Sequence, residues 1–338
     1  MTGTVLVSGG SGYIAGYVIR QLVSEGWIVH TTVRSLAREA EVRRILAVDD
    51  DRLRFFAADL TADAGWAEAM AGCSHVAHIA SPFPLTAPKS DDELIVPARD
   101  GALRALRASK AAGVRRFVMT SSTAAIGYGH GDSPGPFTEA DWTNVEGPNV
   151  YAYVKSKTIA ERAARDWVAR EGGAIEFCTI NPSLVLGPVL SADMSTSVEA
   201  VKRLLDGSIP GLPNLSFPAV DVRDVADIHV RALNAPEMAG ERFIASGPTV
   251  EMAELAAILR ARLGNEARRV PTLRLPDFLV RIAALFDPVM RQVTGELSKP
   301  KTMDASHAQR KLGWKTRAIK DSVIDTARSL FDLGIVKV

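Results

Sequence analysis

Short runs of β-branched and apolar residues alternate with amphipathic stretches through the first half of the chain. Residues 4–8, 28–33, 53–58, 76–80, 116–121 and 176–180 predict strands. Between them, residues 17–25, 98–112 and 154–170 predict helices, closed by Gly26, Gly113 and Gly172-Gly173. Strands alternating with helices predict an α/β fold, a doubly wound parallel sheet. After Asn181-Pro182 the pattern changes. Prolines and glycines cluster from 187 to 218, and the alternation is expected to break there. Residues 219–221 and 242–245 predict two short strands around a helix at 224–233. The tail carries helical patterns at 252–263, 276–290 and 306–312. No internal repeat or low-complexity segment interrupts this order.

The first strand runs into Ser8-Gly9-Gly10-Ser11-Gly12-Tyr13-Ile14-Ala15-Gly16 and then a helix. A sharp strand-to-helix turn needs residues without a Cβ clash. The helix N-terminus that follows presents free N–H groups and a positive dipole end, which suit a pyrophosphate. Gly9 and Gly12 have Gly-x-x-Gly spacing. Ala15 stands where a third glycine is usual, with Gly16 one place later. This turn predicts dinucleotide binding by a Rossmann-type sheet. Residues 1–182 and 219–246 are expected to form the dinucleotide-binding domain. Residues 183–218 and 247–338 are expected to form a smaller substrate-binding lobe over the carboxyl edge of the sheet, where ligands of such sheets bind.

The end of the second strand chooses the dinucleotide. An acidic residue there would hold a ribose 2′-hydroxyl. This chain has Thr32-Val33-Arg34-Ser35 instead. Arg34 can pair a 2′-phosphate, with Arg38 or Arg43 assisting, so NADP(H) is the expected cofactor. Asp59-Leu60 would lie beside the adenine. Ala80-Ser81 would line the pyrophosphate and nicotinamide side.

Tyr153 and Lys157 open the long helix at a spacing of four, which puts both on one face. Free tyrosine, with a pKa near ~10, is a poor acid–base at neutral pH, and a neighbouring ammonium lowers that value. Tyr153 could then give a proton to a carbonyl oxygen as hydride reaches the carbon. Tyr151 and Lys155 repeat the spacing one face round. The fifth strand ends Thr120-Ser121-Ser122, whose hydroxyls can donate to a carbonyl or cap the next segment. Ser122 is the first candidate and Ser121 the second.

Bulk properties narrow the partners. The 338 residues carry a formal net charge of +1, which gives no reason to expect nucleic acid or an anionic membrane. Two cysteines, Cys73 and Cys178, are too few for a disulfide framework and fit a reducing compartment. The start lacks a basic segment followed by a long apolar one, so no secretory leader is expected, and no stretch approaches the ~20 apolar residues of a membrane span. A cytoplasmic protein, monomeric or homodimeric, is expected. The six histidines show no metal-ligand pattern, and no metal is expected.

These pieces together resemble the extended short-chain dehydrogenases/reductases, in the branch of dihydroflavonol reductase, cinnamoyl-CoA reductase and microbial aldehyde or methylglyoxal reductases. The resemblance runs, in order, through Val7-Ser8-Gly9-Gly10-Ser11-Gly12-Tyr13-Ile14, Thr32-Val33-Arg34, His78-Ile79-Ala80-Ser81-Pro82, Thr120-Ser121-Ser122, Tyr153 to Glu161, Asn181 to Pro188, Val220 to Ala226 and a tail at 305–314. It implies catalytic roles for Ser122, Tyr153 and Lys157. It implies cofactor contacts at Gly9, Ser11, Gly12, Tyr13, Ile14, Arg34, Asp59, Leu60, Ala80, Ser81, Thr120, Tyr153, Lys157, Pro182, Ser183 and Val185.

The expected reaction is NADPH-dependent reduction of an aldehyde or ketone to the alcohol. After Ser122 the chain reads Thr123-Ala124-Ala125-Ile126-Gly127-Tyr128, small and mostly apolar. The flavonoid and lignin enzymes carry polar pocket residues there, so a general aldehyde or ketone is favoured over a flavonol or CoA thioester. Candidate substrate contacts are Phe83, Ile126, Tyr128, Leu184, Leu212 and Phe217, with Pro84 and Pro210 beside them. Other functions share these residues. A nucleotide-sugar epimerase or dehydratase would favour an acid over Arg34 and cations in the smaller lobe. A 3-beta-hydroxysteroid-type dehydrogenase would have an apolar pocket too. A non-catalytic NADPH-sensing regulator would not need the Tyr/Lys pair.

Overall fold

The computed structural model describes residues 3–48, 51–82, 90–193, 195–285 and 294–337. Seven strands form one parallel sheet: β1 (Thr4–Val7), β2 (Ile28–Val33), β3 (Leu53–Ala57), β4 (His75–His78), β5 (Arg116–Thr120), β6 (Glu176–Pro182) and β10 (Arg242–Ala245). Their order is β10-β6-β5-β4-β1-β2-β3. The order reverses between β1 and β4, where such sheets open a crevice at their carboxyl ends.

Both faces of this sheet are buried, and the two-residue period of a strand divides its side chains between them. Val5, Val7, Ala77, Val118 and Ile180 face one core, with α1 (Tyr13–Ser24), α2 (Glu39–Leu46) and α7 (Val222–Asn234) against it. Leu6, Val76, Phe117, Met119 and Phe177 face the other, with α3 (Trp66–Met70), α4 (Asp92–Ala111) and α5 (Ala152–Glu171).

A further apolar core gathers mostly later residues, among them Leu186, Val201, Leu205, Leu212, Val250, Leu255, Leu259, Val323 and Leu330. Here β7 (Leu184–Leu186) and β11 (Thr249–Glu251) flank β9 (Ser216–Asp221), with β7 parallel and β11 antiparallel to it. β8 (Leu212–Pro213) pairs in parallel with β12 (Arg274–Leu275). Around them pack α6 (Thr196–Asp206), α8 (Met252–Leu263), α9 (Asp277–Ala283) and α11 (Ile319–Asp332), whereas α10 (Ser306–Leu312) packs on β10 and α7 at the sheet core.

Tyr13 and Tyr17 on α1 join the two regions, donating to the Gly187 carbonyl at 2.7 Å and the Pro188 carbonyl at 2.9 Å.

Several elements differ from the sequence expectation. α1 begins at Tyr13 rather than 17, because extended Gly12 starts the helix directly at the turn. Pro97 reads as a helix start, yet α4 already runs from Asp92. α6 lies inside the Pro/Gly-rich stretch expected to break the alternation. Ser195 caps it through Val198 N, and Val198, Val201, Leu204 and Leu205 form its buried stripe. α11 was not expected, because Ser322 and Thr326 interrupt its apolar stripe although both are buried. Of the tail helix expected at 276–290, residues 277–283 are helical and 286–290 lie outside the described residues.

Candidate active site

The glycine-rich turn is packed too tightly for side chains. Gly9 has φ +75°, and a Cβ there would stand 3.1 Å from the Ala80 Cβ. A Cβ on Gly10 would meet Thr31 Oγ1 at 2.2 Å, and one on Gly16 would meet Leu190 Cδ1 at 2.9 Å. Gly16, not Ala15, thus carries the close packing expected of a third glycine, while Ala15 is fully buried. Gly12 N donates to Gly9 O at 2.8 Å, and no side chain caps the helix that follows. Ser8 ties β1 to β4, its hydroxyl accepting from the backbone of Ile79 and Ala80, each at 3.0 Å.

Arg34 leaves β2 on the exposed side, near enough to Asp59 to help hold its carboxyl below the usual range. The larger cause of that shift is Thr61, whose hydroxyl and N–H both bond Asp59. Arg38 pairs with Glu41 at 3.1 Å. Arg43 is held by Glu39 and by the Leu53 carbonyl, at the opposite end of β3 from Asp59. Leu60 packs on Gly101, and its carbonyl accepts from Arg104.

The catalytic candidates converge at the carboxyl ends of β4, β5 and β6. Tyr153 is half-buried and hydrogen-bonded to Ser122. Burial raises its pKa, and the bond to Ser122 works against that rise. A protonated phenol is the form needed by a proton donor. Lys157 Nζ lies 5.9 Å from the Tyr153 ring centroid and donates to Ser81 Oγ at 3.0 Å. Burial pulls the Lys157 pKa down to about 8, partly offset by Glu161, which leaves it mostly ammonium at neutral pH. Ser122 Oγ accepts from Ala124 N at 3.1 Å and lies 3.5 Å from the Pro182 carbonyl. The alternative pair is split. Tyr151 stacks near Tyr153, at 6.5 Å between centroids, but Lys155 turns outward to Asp91 at 2.7 Å.

Ser121 points behind the site and donates to the Glu161 carboxylate. Thr120 Oγ1 bonds His229 Nε2 at 2.7 Å on the α7 side. Tyr13 directs its hydroxyl to Gly187, away from the turn, while Ile14 packs against the adjoining core and Val185 is buried in β7. Ser183 Oγ is buried without a hydrogen-bond partner among the described residues.

Of the substrate candidates, Ile126 is fully buried in the sheet core and Leu212 lies in the second core. Leu184 and Phe217 half-face that core, and Pro210 is exposed. Tyr128 is hydrogen-bonded to Tyr151, and Lys301 Nζ sits 4.1 Å from its ring centroid. Phe83 and Pro84 lie outside the described residues.

Sequence reasoning missed Glu161, which is buried behind Ser121 and bonded to five side chains. Its spacing of four from Lys157 was the available signal. Among the described residues no helix is long and apolar enough to cross a membrane, and no group of His, Cys, Asp and Glu could hold a metal.

A dinucleotide fits this arrangement. The Gly9–Gly10 cradle has no room for side chains, α1 lacks a side-chain cap, and the orphaned Ser183 hydroxyl lies next to Pro182.

Residues 5–245 match the NAD dependent epimerase/dehydratase family. The chain is 35% identical over 284 residues to cinnamoyl-CoA reductase CAD2 of Medicago truncatula, covering 81% of this chain and 82% of that protein. It is 32% identical over 269 residues to dihydroflavonol 4-reductase of Zea mays, covering 77% and 74%. Its fold matches yeast methylglyoxal/isovaleraldehyde reductase Gre2, solved with NADPH, at a TM-score of 0.82 and 25% identity over 98% of this chain and 100% of that one. The chain belongs to the NAD dependent epimerase/dehydratase family and is an oxidoreductase of the extended short-chain dehydrogenase/reductase type.

Proposed function

We propose that this protein reduces an aldehyde or ketone to the alcohol with NADPH. One observation carries the reading: Tyr153 hydrogen-bonded to Ser122, with Lys157 Nζ 5.9 Å from its ring centroid, at the carboxyl edge of the sheet.

The dinucleotide, when bound, supplies a hydride. The turn from Gly9 to Ile14 would hold its pyrophosphate, Arg34 its 2′-phosphate, Asp59 and Leu60 its adenine side. Ala80, Ser81, Pro182, Ser183 and Val185 would line the nicotinamide side, and Lys157 would reach the ribose hydroxyls. The chain's own part is proton handling. Ser122 and Tyr153 donate hydrogen bonds to the substrate oxygen and polarise the carbonyl. Tyr153 passes its proton to that oxygen as negative charge develops. Lys157 stabilises the phenolate left behind. The name of the yeast neighbour, a methylglyoxal/isovaleraldehyde reductase solved with NADPH, supports the substrate class.

The region built on the second core is read as the substrate lobe. The test is NADPH oxidation, followed by absorbance, with a panel of aldehydes, ketones and diketones and with NADH in parallel. NADPH-dependent turnover is expected. Tight NADPH binding with no turnover on any carbonyl would overturn the assignment and favour a sugar-modifying or sensor role.

A further inference from the structure

A buried ionic knot lies directly behind the proposed catalytic face, and the chemistry above makes no use of it. Glu161 is 0% exposed and sits one turn after Lys157 on α5. Its Oε1 meets Arg242 Nε at 2.7 Å and Arg165 Nε at 3.2 Å, and accepts from Thr179 Oγ1 at 3.1 Å. Its Oε2 accepts from the Ser121 hydroxyl and from Asn181 Nδ2, the latter at 2.8 Å. Arg242 continues to the carbonyls of Ala125 at 3.1 Å and Glu139 at 3.0 Å. The knot therefore ties α5 to the carboxyl ends of β5 and β6, to β10 and to the segment around Glu139.

Asn181 is the part aimed at the chemistry. The same Nδ2 that bonds Glu161 also donates to the backbone carbonyl of Ser122, at 3.1 Å. Its Oδ1 is buried without a partner among the described residues. A buried, unsatisfied acceptor destabilises a fold, and an apolar side chain of similar size would avoid it. Against that cost stand its two donor bonds, one of them to a buried carboxylate. They join the helix that carries Tyr153 and Lys157 to the backbone that carries Ser122.

We infer that Asn181, anchored by Glu161, is a positioning residue that fixes Ser122 relative to Tyr153. This rests on the reductase reading above. Without the bridge, Ser122 keeps only its local bonds, from Ala125 N to its carbonyl at 2.9 Å and from Ala124 N to its hydroxyl at 3.1 Å, nothing ties it to α5 through Glu161, and the shared grip of Ser122 and Tyr153 on one substrate oxygen loosens. Small misplacements of this kind lower turnover more than they lower binding.

The test is a double-mutant cycle with Asn181→Leu and Ser122→Ala, measured as kcat, KM and NADPH affinity in the intact chain. Asn181→Leu is expected to lower kcat at least tenfold, with NADPH affinity within about twofold of the parent. In the Ser122→Ala background the same substitution is expected to do nothing further, because Asn181 acts through Ser122. A kcat within twofold of the parent, or equal losses in both backgrounds, would overturn the inference, since a merely structural role gives additive losses. Should Asn181→Leu fail to fold, Asn181→Ala removes the bridge with less bulk and is judged by the same two criteria. Full activity in Ser122→Ala alone is a separate outcome. It would remove Ser122 from the mechanism, and the reductase reading would fail before the bridge was in question.

Discussion

Lys157 Nζ donates to Ser81 Oγ at 3.0 Å, so the helix carrying the proposed proton donor is pinned to the loop at the end of β4. That bond puts the ammonium beside the phenol and leaves it buried, and both facts have measurable consequences.

Removing the phenol should remove turnover but not cofactor. Tyr153→Phe is expected to lower kcat by ~10²–10⁴-fold, the range for a lost general acid. NADPH affinity, read by fluorescence titration, should stay near the parent value. A fully active Tyr153→Phe enzyme would end the assignment and move attention to Tyr151.

Activity should decline on the alkaline side earlier than for an ordinary lysine. Burial lowers the Lys157 pKa to about 8, with Glu161 partly offsetting it. The charged form that supports Tyr153 is present below that value and lost above it. A plot of kcat/KM against pH should therefore bend downward near 8. A bend only near ~10.4, the value of a solvated lysine, would show that the ammonium is not desolvated in the working enzyme.

Arg34→Ala should discriminate between the two dinucleotides. A charge-assisted bond to a 2′-phosphate contributes ~1.5–3 kcal/mol, so NADPH should bind ~10–100-fold more weakly and NADH almost as before. Equal losses for both cofactors would take the 2′-phosphate role away from Arg34.

Acid should weaken the fold above the range where carboxylates titrate. Burial lowers the pKa of His78 to about 3 and of His229 to about 4. Both stay neutral in the folded chain, whereas in the unfolded chain they titrate near ~6.5. The unfolded state thus binds more protons between those values. Stability is complete above ~6.5 and is lost as pH falls toward the folded values. Urea midpoints at pH 7.5, 6 and 5 should fall in that order, and His229→Gln should flatten the fall.

Gly10→Ala tests the cradle. Its Cβ would lie 2.2 Å from Thr31 Oγ1, so the variant should lose ~1–3 kcal/mol of stability and bind NADPH more weakly. Thr31→Ala, which removes the obstructing hydroxyl, should restore part of the loss. Unchanged melting and binding in Gly10→Ala would show that the turn has slack.

The seven-strand sheet was legible because each strand is a short apolar run closed by a turn signal, and all seven of its strands were expected as strands. Tyr153 and Lys157 were legible because a spacing of four defines one helical face. The second region was less so. α6 hid among prolines and glycines, although Val198, Val201, Leu204 and Leu205 follow a helical period. α11 hid because buried Ser322 and Thr326 are polar by type. Spacing could put Glu161 one turn after Lys157 but not show its knot, since Asn181 and Arg242 come to it from strands far along the chain. Ile126 illustrates the converse: its place after Ser122 suggested a pocket wall, but the chain turns it into the core.

The packing of α1 on α7 sets a timetable for synthesis. The buried stripe of α1 includes Val18, Ile19 and Leu22, and α7, against which it packs, begins only at Val222. A ribosome adding ~5–20 residues per second needs roughly 10–40 seconds to cover that interval. For that time the face of α1 that meets α7 stays uncovered, while its contacts with β1, β2 and α2 can already form. Early truncation products are therefore natural clients for a holdase chaperone. Stalling before residue 222 would be far more damaging to this protein than stalling after it.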